Sequence, residues 1–106
     1  MYKIGDTGDI YSLFFGDSLI VADVTQMSYI MDDDFFVCMY MSSEQEGVWI
    51  SVIYGKDGSE LFRAENGNSI IAVSNNMNYI MESTRDSNQI LIEGLSNKVL
   101  FEWIYE

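Results

Sequence analysis

Several residue types on which enzyme chemistry depends are missing or scarce in this sequence of 106 residues. It has no histidine, which excludes the usual general base, the Ser-His-Asp triad and histidine-ligated metal sites. Its single cysteine can form neither an internal disulfide nor a thiolate zinc site. No glycine-rich phosphate-binding motif occurs. We therefore predict a protein that is not an enzyme and binds no cofactor and no metal ion.

Positive charge is also scarce. The chain has 17 acidic and 5 basic side chains, a formal net charge of -12 and a pI near 4.1. Such a surface repels nucleic acid and attracts basic macromolecules. Apolar residues make up 48% and aromatic residues 14% of the chain, far more than in a disordered acidic tail. The composition predicts one folded domain over residues 1–106, with no direct contact to nucleic acid.

Targeting signals are not visible in the sequence. The first ten residues contain no apolar segment, and no run approaches the roughly 18 apolar residues that a membrane span requires. The unpaired Cys38 lies within the apolar run FFVCMYM, which suits a reducing compartment. We therefore expect a cytoplasmic location and no membrane partner.

The order of similar blocks indicates an internal duplication. The predicted copies span approximately 2–54 and 55–106. Chance similarity between strand-like segments is the alternative, because strands use a small set of residue types. Three blocks recur in the same order: GDSLI (16–20) as GNSII (67–71), SYIMDDD (28–34) as NYIMEST (78–84), and VWISVIY (48–54) as VLFEWIY (99–105).

Alternation of apolar and polar residues between turn residues predicts an all-β, antiparallel fold. We expect about ten short strands in two similar halves that form a β-sandwich or an up-and-down barrel, with each half supplying one sheet. One predicted hairpin joins 60–64 to 69–73 across an Asn-Gly turn. A single helical turn is the alternative within TQMSYIM and NNMNYIM. The predicted strands are 10–15, 19–24, 27–31, 35–41, 48–54, 60–64, 69–73, 78–82, 89–93 and 99–105.

Comparison of the two copies predicts which strand faces are buried. Trp49 falls on a mixed face, which makes it a candidate anchor for a partner, whereas Trp103 is expected inside. A loop that covers Trp49 is the alternative. The predicted core face consists of the apolar residues shared by both copies, Val48, Ile50, Val52 and Tyr54 with Val99, Phe101, Trp103 and Tyr105.

The densest charge of the chain lies at Asp32, Asp33 and Asp34. A solvated turn that blocks edge pairing is one interpretation, and a calcium site is another. Adjacent strand residues point to opposite sides, so three successive carboxylates do not converge easily on one ion. Acidity that only keeps the protein dissolved is a further alternative. The candidate partner-binding residues are Asp32, Asp33, Asp34, Glu44, Glu46, Trp49, Asp57 and Glu60.

Two strands are apolar on nearly both faces, 35–41 and 48–54. Either loops of the same chain or a second copy must cover the second face of each strand. A homodimer is therefore one of the two expectations.

In size, acidity and β character the whole chain resembles bacterial immunity proteins, of the contact-dependent inhibition type, that neutralise toxins. The resemblance includes no motif, so it transfers no site residue. It implies an acidic binding protein that neutralises a basic partner. The implied partner is a nuclease toxin domain, and binding would occlude its nucleic-acid-binding or active-site surface. The alternatives are a phage-encoded inhibitor that mimics nucleic acid and a small-ligand-binding β-barrel.

Overall fold

Eleven strands build the part of the chain that the structure, a computed structural model, describes: residues 1–42, 47–94 and 96–104. No helix occurs within these ranges, and all strand pairs are antiparallel, so the predicted all-β fold is confirmed. The strands are β1 (Tyr2–Asp6), β2 (Tyr11–Phe15), β3 (Ser18–Val24), β4 (Met27–Met31), β5 (Phe35–Met41), β6 (Trp49–Gly55), β7 (Glu60–Arg63), β8 (Ser69–Val73), β9 (Tyr79–Ser83), β10 (Gln89–Glu93) and β11 (Lys98–Trp103).

The strands form three sheets, each an up-and-down meander in which sequence neighbours pair. The first sheet contains β1 to β3, the central sheet β4 to β7, and the third sheet β8 to β11. Each of the three sheets has open edges among the described strands. The chain therefore does not form the single closed barrel that was the alternative prediction.

The central sheet lies between the other two and has a hydrophobic core on each face. Because successive side chains of a strand point to opposite faces, β5 and β6 supply alternate residues to the two cores. Both faces of these strands are thus covered within one chain, which explains why they are apolar on both sides. The first core contains Leu13, Val21, Val24, Phe36, Cys38, Val52 and Tyr54, and the second contains Phe35, Val37, Ile53, Phe62, Ile70, Ile80 and Ile92.

Most strand predictions agree with the structure, and four of them agree residue for residue: 27–31, 35–41, 69–73 and 89–93. The segment 27–31 is a strand and not a helical turn. Strand β1 was not predicted; in it, Tyr2 and Ile4 pack against the first core. A Cβ atom at Gly5 would lie 3.1 Å from the Phe14 ring, so a larger residue there would require the ring to shift.

The predicted hairpin between 60–64 and 69–73 is wrong. Strand β7 pairs with β6, and β8 pairs with β9. Asn66 and Gly67 do form a turn, with φ angles of 58° and 73°, and it carries the chain from the central sheet to the third. The central sheet therefore contains strands from both predicted copies, and the expectation that each half supplies one sheet is also wrong.

The predicted core face of the last strand is wrong as well. In β11, Val99 is 52% exposed, Phe101 53% and Trp103 44%. No described strand pairs with the outer edge of β11, so its side chains lack the cover that β6 receives from two neighbouring strands. Trp49, expected on the outer side, is half-buried at the start of β6. Tyr105 lies outside the described residues.

Candidate functional site

Two turns bring most of the predicted acidic residues together at one end of the central sheet. One turn, Asp32 to Asp34, joins β4 to β5, and the other, beginning at Lys56, joins β6 to β7. Phe35 pairs with Gly55, which makes the two turns direct neighbours. We call this group the acidic tip; it consists of Asp32, Asp33, Asp34, Lys56 and Asp57.

Local hydrogen bonds fix the shape of both turns. The Asp32 N–H donates to the Phe35 carbonyl at 3.0 Å, and the Asp34 N–H donates to Asp32 Oδ1 at 3.1 Å. In the second turn, Ser59 donates to Asp57 Oδ1 from its hydroxyl at 2.6 Å and from its N–H at 3.1 Å. These two bonds, first that of the hydroxyl, lower the pKa of Asp57. The tip is therefore ordered by its own side chains and keeps Asp57 ionised.

The acidic tip has an excess of negative charge. Lys56 Nζ lies 2.9 Å from Asp34 Oδ1, and the hydrogen bond and charge of Asp34 raise the pKa of Lys56. Asp32 and Asp33 form no salt bridge with any residue that the structure describes. With four aspartates and one lysine, the tip carries a net charge of -3. These carboxylates are available to a basic partner.

Aromatic rings stack beside the acidic tip, where the first and central sheets meet. Tyr29 stacks on Phe36 at a centroid distance of 5.5 Å, and Phe36 stacks on Tyr2 at 4.8 Å. Phe15 continues the series with a tilted contact to Tyr2 at 4.9 Å. The Tyr2 hydroxyl donates a hydrogen bond to the Gly55 carbonyl, which ties β1 to the end of β6. The rings thus form a continuous series that crosses from one sheet to the other.

A groove of about 280 Å³ opens between these rings and the acidic tip. Met31 at its edge is 64% exposed, and the neighbouring Tyr29 is 52% exposed. A lysine or arginine side chain can place its charge at the carboxylates and its aliphatic stem against the rings. We call this the aromatic groove; it is lined by Met1, Tyr2, Phe15, Met31, Asp32, Asp33, Phe35, Phe36 and Lys56.

The remaining predicted site residues lie elsewhere. Glu60 is exposed, but Arg63 compensates its charge, with Nη2 at 2.7 Å from Oε1 and Nε at 3.3 Å from Oε2. Trp49 lies at the opposite end of β6, about 20 Å from the tip at the usual rise of a strand. Glu44 and Glu46 lie outside the described residues. The structure therefore unites Asp32, Asp33, Asp34 and Asp57 and separates Glu60 and Trp49 from them.

Sequence reasoning missed the apolar half of this site. The alternation of Tyr2 and Ile4 with Lys3 is the local signal that could have revealed β1. No local pattern indicates the stacking of Tyr2 on Phe36, because that contact joins two different sheets. The groove is a product of tertiary packing.

Comparison with known proteins finds no matching family, no matching curated protein and no matching solved structure. Across residues 1–42, 47–94 and 96–104, no group of three or more acidic or cysteine side chains is placed to hold a metal ion. No helix in the described ranges is long and apolar enough to cross a membrane. A functional assignment therefore rests on the geometry of the acidic tip and the aromatic groove.

Proposed function

We propose that this chain is an acidic binding protein that neutralises a basic partner and docks through the acidic tip and the aromatic groove. The observation that carries the proposal is the contact between uncompensated carboxylates, Asp32 and Asp33, and a groove with an exposed apolar edge at Met31. Carboxylates steer a cationic partner, and apolar side chains supply the desolvated contact that slows dissociation. Both parts are present at one end of the molecule.

The more specific proposal is an immunity protein that inhibits a nuclease toxin in the cytoplasm. A nuclease binds a polyanion, so its substrate surface is cationic and suits the acidic tip. Self-protection benefits from fast association, and electrostatic steering raises association rate constants from about 10⁵–10⁶ to about 10⁸ M⁻¹s⁻¹ or more at low salt. The small size, acidity and β character of the chain agree with this role.

Neither alternative function is favoured by the geometry. A nucleic-acid mimic needs rows of carboxylates at phosphate-like spacing. The four aspartates of the acidic tip instead form one patch in two adjacent turns. The ligand-binding barrel needs a closed sheet around a cavity, but the described sheets are open and stacked on two packed cores.

The first test is the salt dependence of association with a purified basic nuclease domain encoded beside this gene. We expect the association rate constant to fall at least tenfold between about 50 and 500 mM NaCl, because salt screens the charges that steer the encounter. Stopped-flow fluorescence measures this rate. An unchanged rate removes steering from the mechanism, and absence of binding rejects the immunity function.

The second test locates the docking surface with a matched pair of variants. Asp32→Asn/Asp33→Asn removes two charges from the acidic tip, and Asp23→Asn/Asp86→Asn removes two exposed charges from other sheets. We expect the first pair to slow association several-fold more than the second. Met31→Ser should instead raise the dissociation rate constant. Equal effects of the two charge pairs would place the docking surface elsewhere.

A further inference from the structure

A carboxylate is buried between the central and third sheets. Glu82 is 2% exposed and lies on the same face of β9 as Ile80 of the second core. Its Oε1 accepts a hydrogen bond from Asn68 Nδ2 at 2.9 Å, whereas its Oε2 has no partner among the described residues. Burial raises the pKa of Glu82, and the charge of Glu65 adds to the effect. A buried carboxylate oxygen without a partner is costly, and either a proton or a cationic ligand removes that cost.

Glu82 also lines a cavity of about 210 Å³ between these two sheets. Phe62, Ile90 and Val99 supply apolar walls, and Glu65 and Asn97 supply polar ones. Arg63 also lines the cavity, and its charge is compensated by the salt bridge to Glu60. The cavity thus combines a carboxylate with an apolar lining and a second acidic residue. This combination suits a ligand with an aliphatic body and a positively charged end.

We propose that this cavity binds a primary alkylammonium group, with the ammonium at the Glu82 carboxylate and the alkyl chain against Phe62 and Ile90. A guanidinium pairs best with both oxygens of a carboxylate, and Asn68 already occupies Oε1. A divalent cation needs several oxygen ligands, and no such cluster occurs in the described part of the chain. The inference does not depend on the proposed partner, because the cavity and the aromatic groove lie on opposite faces of the central sheet.

The experiment titrates the protein with n-butylammonium chloride and with n-butanol while amide resonances are followed by NMR. We expect saturable shifts at Asn68 and Ile90 with n-butylammonium and at least tenfold weaker binding of n-butanol, because only the cation pairs with the carboxylate. A blocked lysine peptide in a parallel titration distinguishes a side chain of another protein from a free amine as the source of the group. Equal binding of n-butanol, or no saturable shift at the cavity, would overturn the proposal.

Variants assign the binding to Glu82. Glu82→Gln should weaken n-butylammonium binding at the cavity at least tenfold, whereas Asp23→Asn, which removes an exposed charge from the first sheet, should leave it within twofold. If Glu82→Gln does not fold, Val99→Trp on the exposed strand β11 fills the cavity entrance and should abolish binding. Full binding by the folded Glu82→Gln or Val99→Trp variant would contradict the assigned site.

The outer face of the third sheet carries an uncovered apolar row with polar residues on both sides. Glu93 and Lys98 lie beside Tyr79, and Gln89 and Ser83 lie beside Trp103. Strand pairing places Ala72, Met81, Leu91 and Phe101 in one row across the sheet, on the face away from the second core. Tyr79 and Trp103 flank this row on the same face and are 51% and 44% exposed. The Phe101 and Trp103 rings contact each other at a centroid distance of 4.4 Å. We call this surface the outer apolar face; it consists of Ala72, Tyr79, Met81, Leu91, Phe101 and Trp103.

Charge distribution indicates what can cover the outer apolar face. Residues 69–106, which contain the third sheet, carry 5 acidic and 2 basic side chains, a net charge of -3. Residues 1–68 carry 12 acidic and 3 basic side chains, a net charge of -9. Within residues 1–68, the first-sheet residues 1–26 also carry a net charge of -3, and residues 27–68, with the central sheet and the acidic tip, carry -6. Two copies that meet at their third sheets therefore keep the most acidic part of each chain out of the contact.

The exposed area agrees with a weak dimer. Three half-exposed aromatic side chains offer about 100 Å² each, and the aliphatic residues of the face add roughly another 100–150 Å². Pairing two such faces buries on the order of 800–900 Å², just below the roughly 1,000 Å² of a stable specific interface.

We infer that a second copy of this chain covers the outer apolar face, with the two third sheets face to face in a reversible, two-fold symmetric dimer. Sedimentation equilibrium over about 10–500 μM should show association toward twice the 12.1 kDa chain mass. Added salt should strengthen this dimer, because screening removes like-charge repulsion. Salt should weaken binding to a basic partner, so the dimer and the proposed function can each be rejected without the other. A monomer at every concentration and salt level would overturn the inference.

A matched pair of variants assigns the dimer to this face. Phe101→Ser should weaken dimerisation at least tenfold, whereas Leu19→Ser, at a residue 55% exposed on the first sheet, should leave it within twofold. Circular dichroism checks that both variants remain folded. Equal weakening by both variants, or growth beyond a dimer, would contradict a closed contact through the third sheet.

Discussion

Two carboxylates at aligned positions of the predicted repeat have opposite surroundings. Asp32 is exposed in the acidic tip, whereas Glu82 is buried beside Asn68. The acidic neighbours of Asp32 made it a candidate partner-binding residue, but the sequence contained no sign that Glu82 would be buried. Burial at that position follows from the packing of β9 against the central sheet, which local patterns do not reveal.

The buried Glu82 should make stability depend on pH. Its pKa is raised above the ordinary 4.5, so the folded state binds this proton more tightly than the unfolded state. The stability of the natural protein relative to Glu82→Gln should therefore fall as pH rises from 4.5 through the raised pKa and then remain constant. Urea unfolding of both proteins across this range measures the difference. Parallel stability curves would contradict an unfavourable buried charge.

Two glycines provide a test of the contact between the first and central sheets. Gly58 has φ of +85°, and a Cβ atom there would lie 2.7 Å from the Phe15 ring. Gly8 has φ of +75° with no atom near the same position. Gly8→Ala should cost about 1 kcal/mol for backbone strain alone, and Gly58→Ala about 2–3 kcal/mol because Phe15 must also move. Equal losses in chemical denaturation would show that Phe15 does not pack on this turn.

At the scale of elements, strand positions were predictable and strand partners were not. The segment 35–41 is a strand in both the prediction and the structure, because alternation and β-branched or aromatic residues are local properties. The choice of β6 instead of β8 as the partner of β7 depends on sheet stacking. For the same reason, Trp103 was wrongly predicted to be buried. It aligns with Val52 of the first copy, but that similarity does not indicate which strand lies at a sheet edge.

Strand β5 gives a chemical probe of the first core. Cys38 is fully buried, and burial raises its pKa to about 12, so the reactive thiolate is scarce at pH 8. Ellman's reagent should leave the folded protein unmodified for hours and label Cys38 at the rate at which the core opens in urea. Leu19→Cys, an exposed position of β3, should react within minutes. Fast labelling of native Cys38 would mean that the first and central sheets separate readily.

For the whole molecule, composition showed an acidic chain and alternation predicted its all-β fold, but neither predicted its three layers. Apolar residues on both faces of 35–41 indicated that something covers each side, and the sequence left a loop and a second copy as alternatives. Neither covers them, because the first and third sheets of the same chain do so. A distribution of strands among three sheets is a global property that periodicity does not encode.

A net charge of -12 on a chain of this size should also limit its stability. Like charges repel in the folded state, and salt screens them. We expect the Tm to rise by several degrees between about 20 and 500 mM NaCl, and Asp33→Lys to raise the low-salt Tm and reduce this dependence. Differential scanning calorimetry measures both effects. A Tm independent of salt would show that acidity has no net cost for folding.

The joining of both predicted copies within the central sheet determines how the polypeptide can be divided. A cut between Tyr54 and Gly55 separates β7 from β6, so each fragment contains only part of the central sheet. A cut at Asn66-Gly67 falls between complete meanders. Two fragments made at the second position therefore have intact surfaces with which to reassemble, which suits fragment complementation or a split reporter.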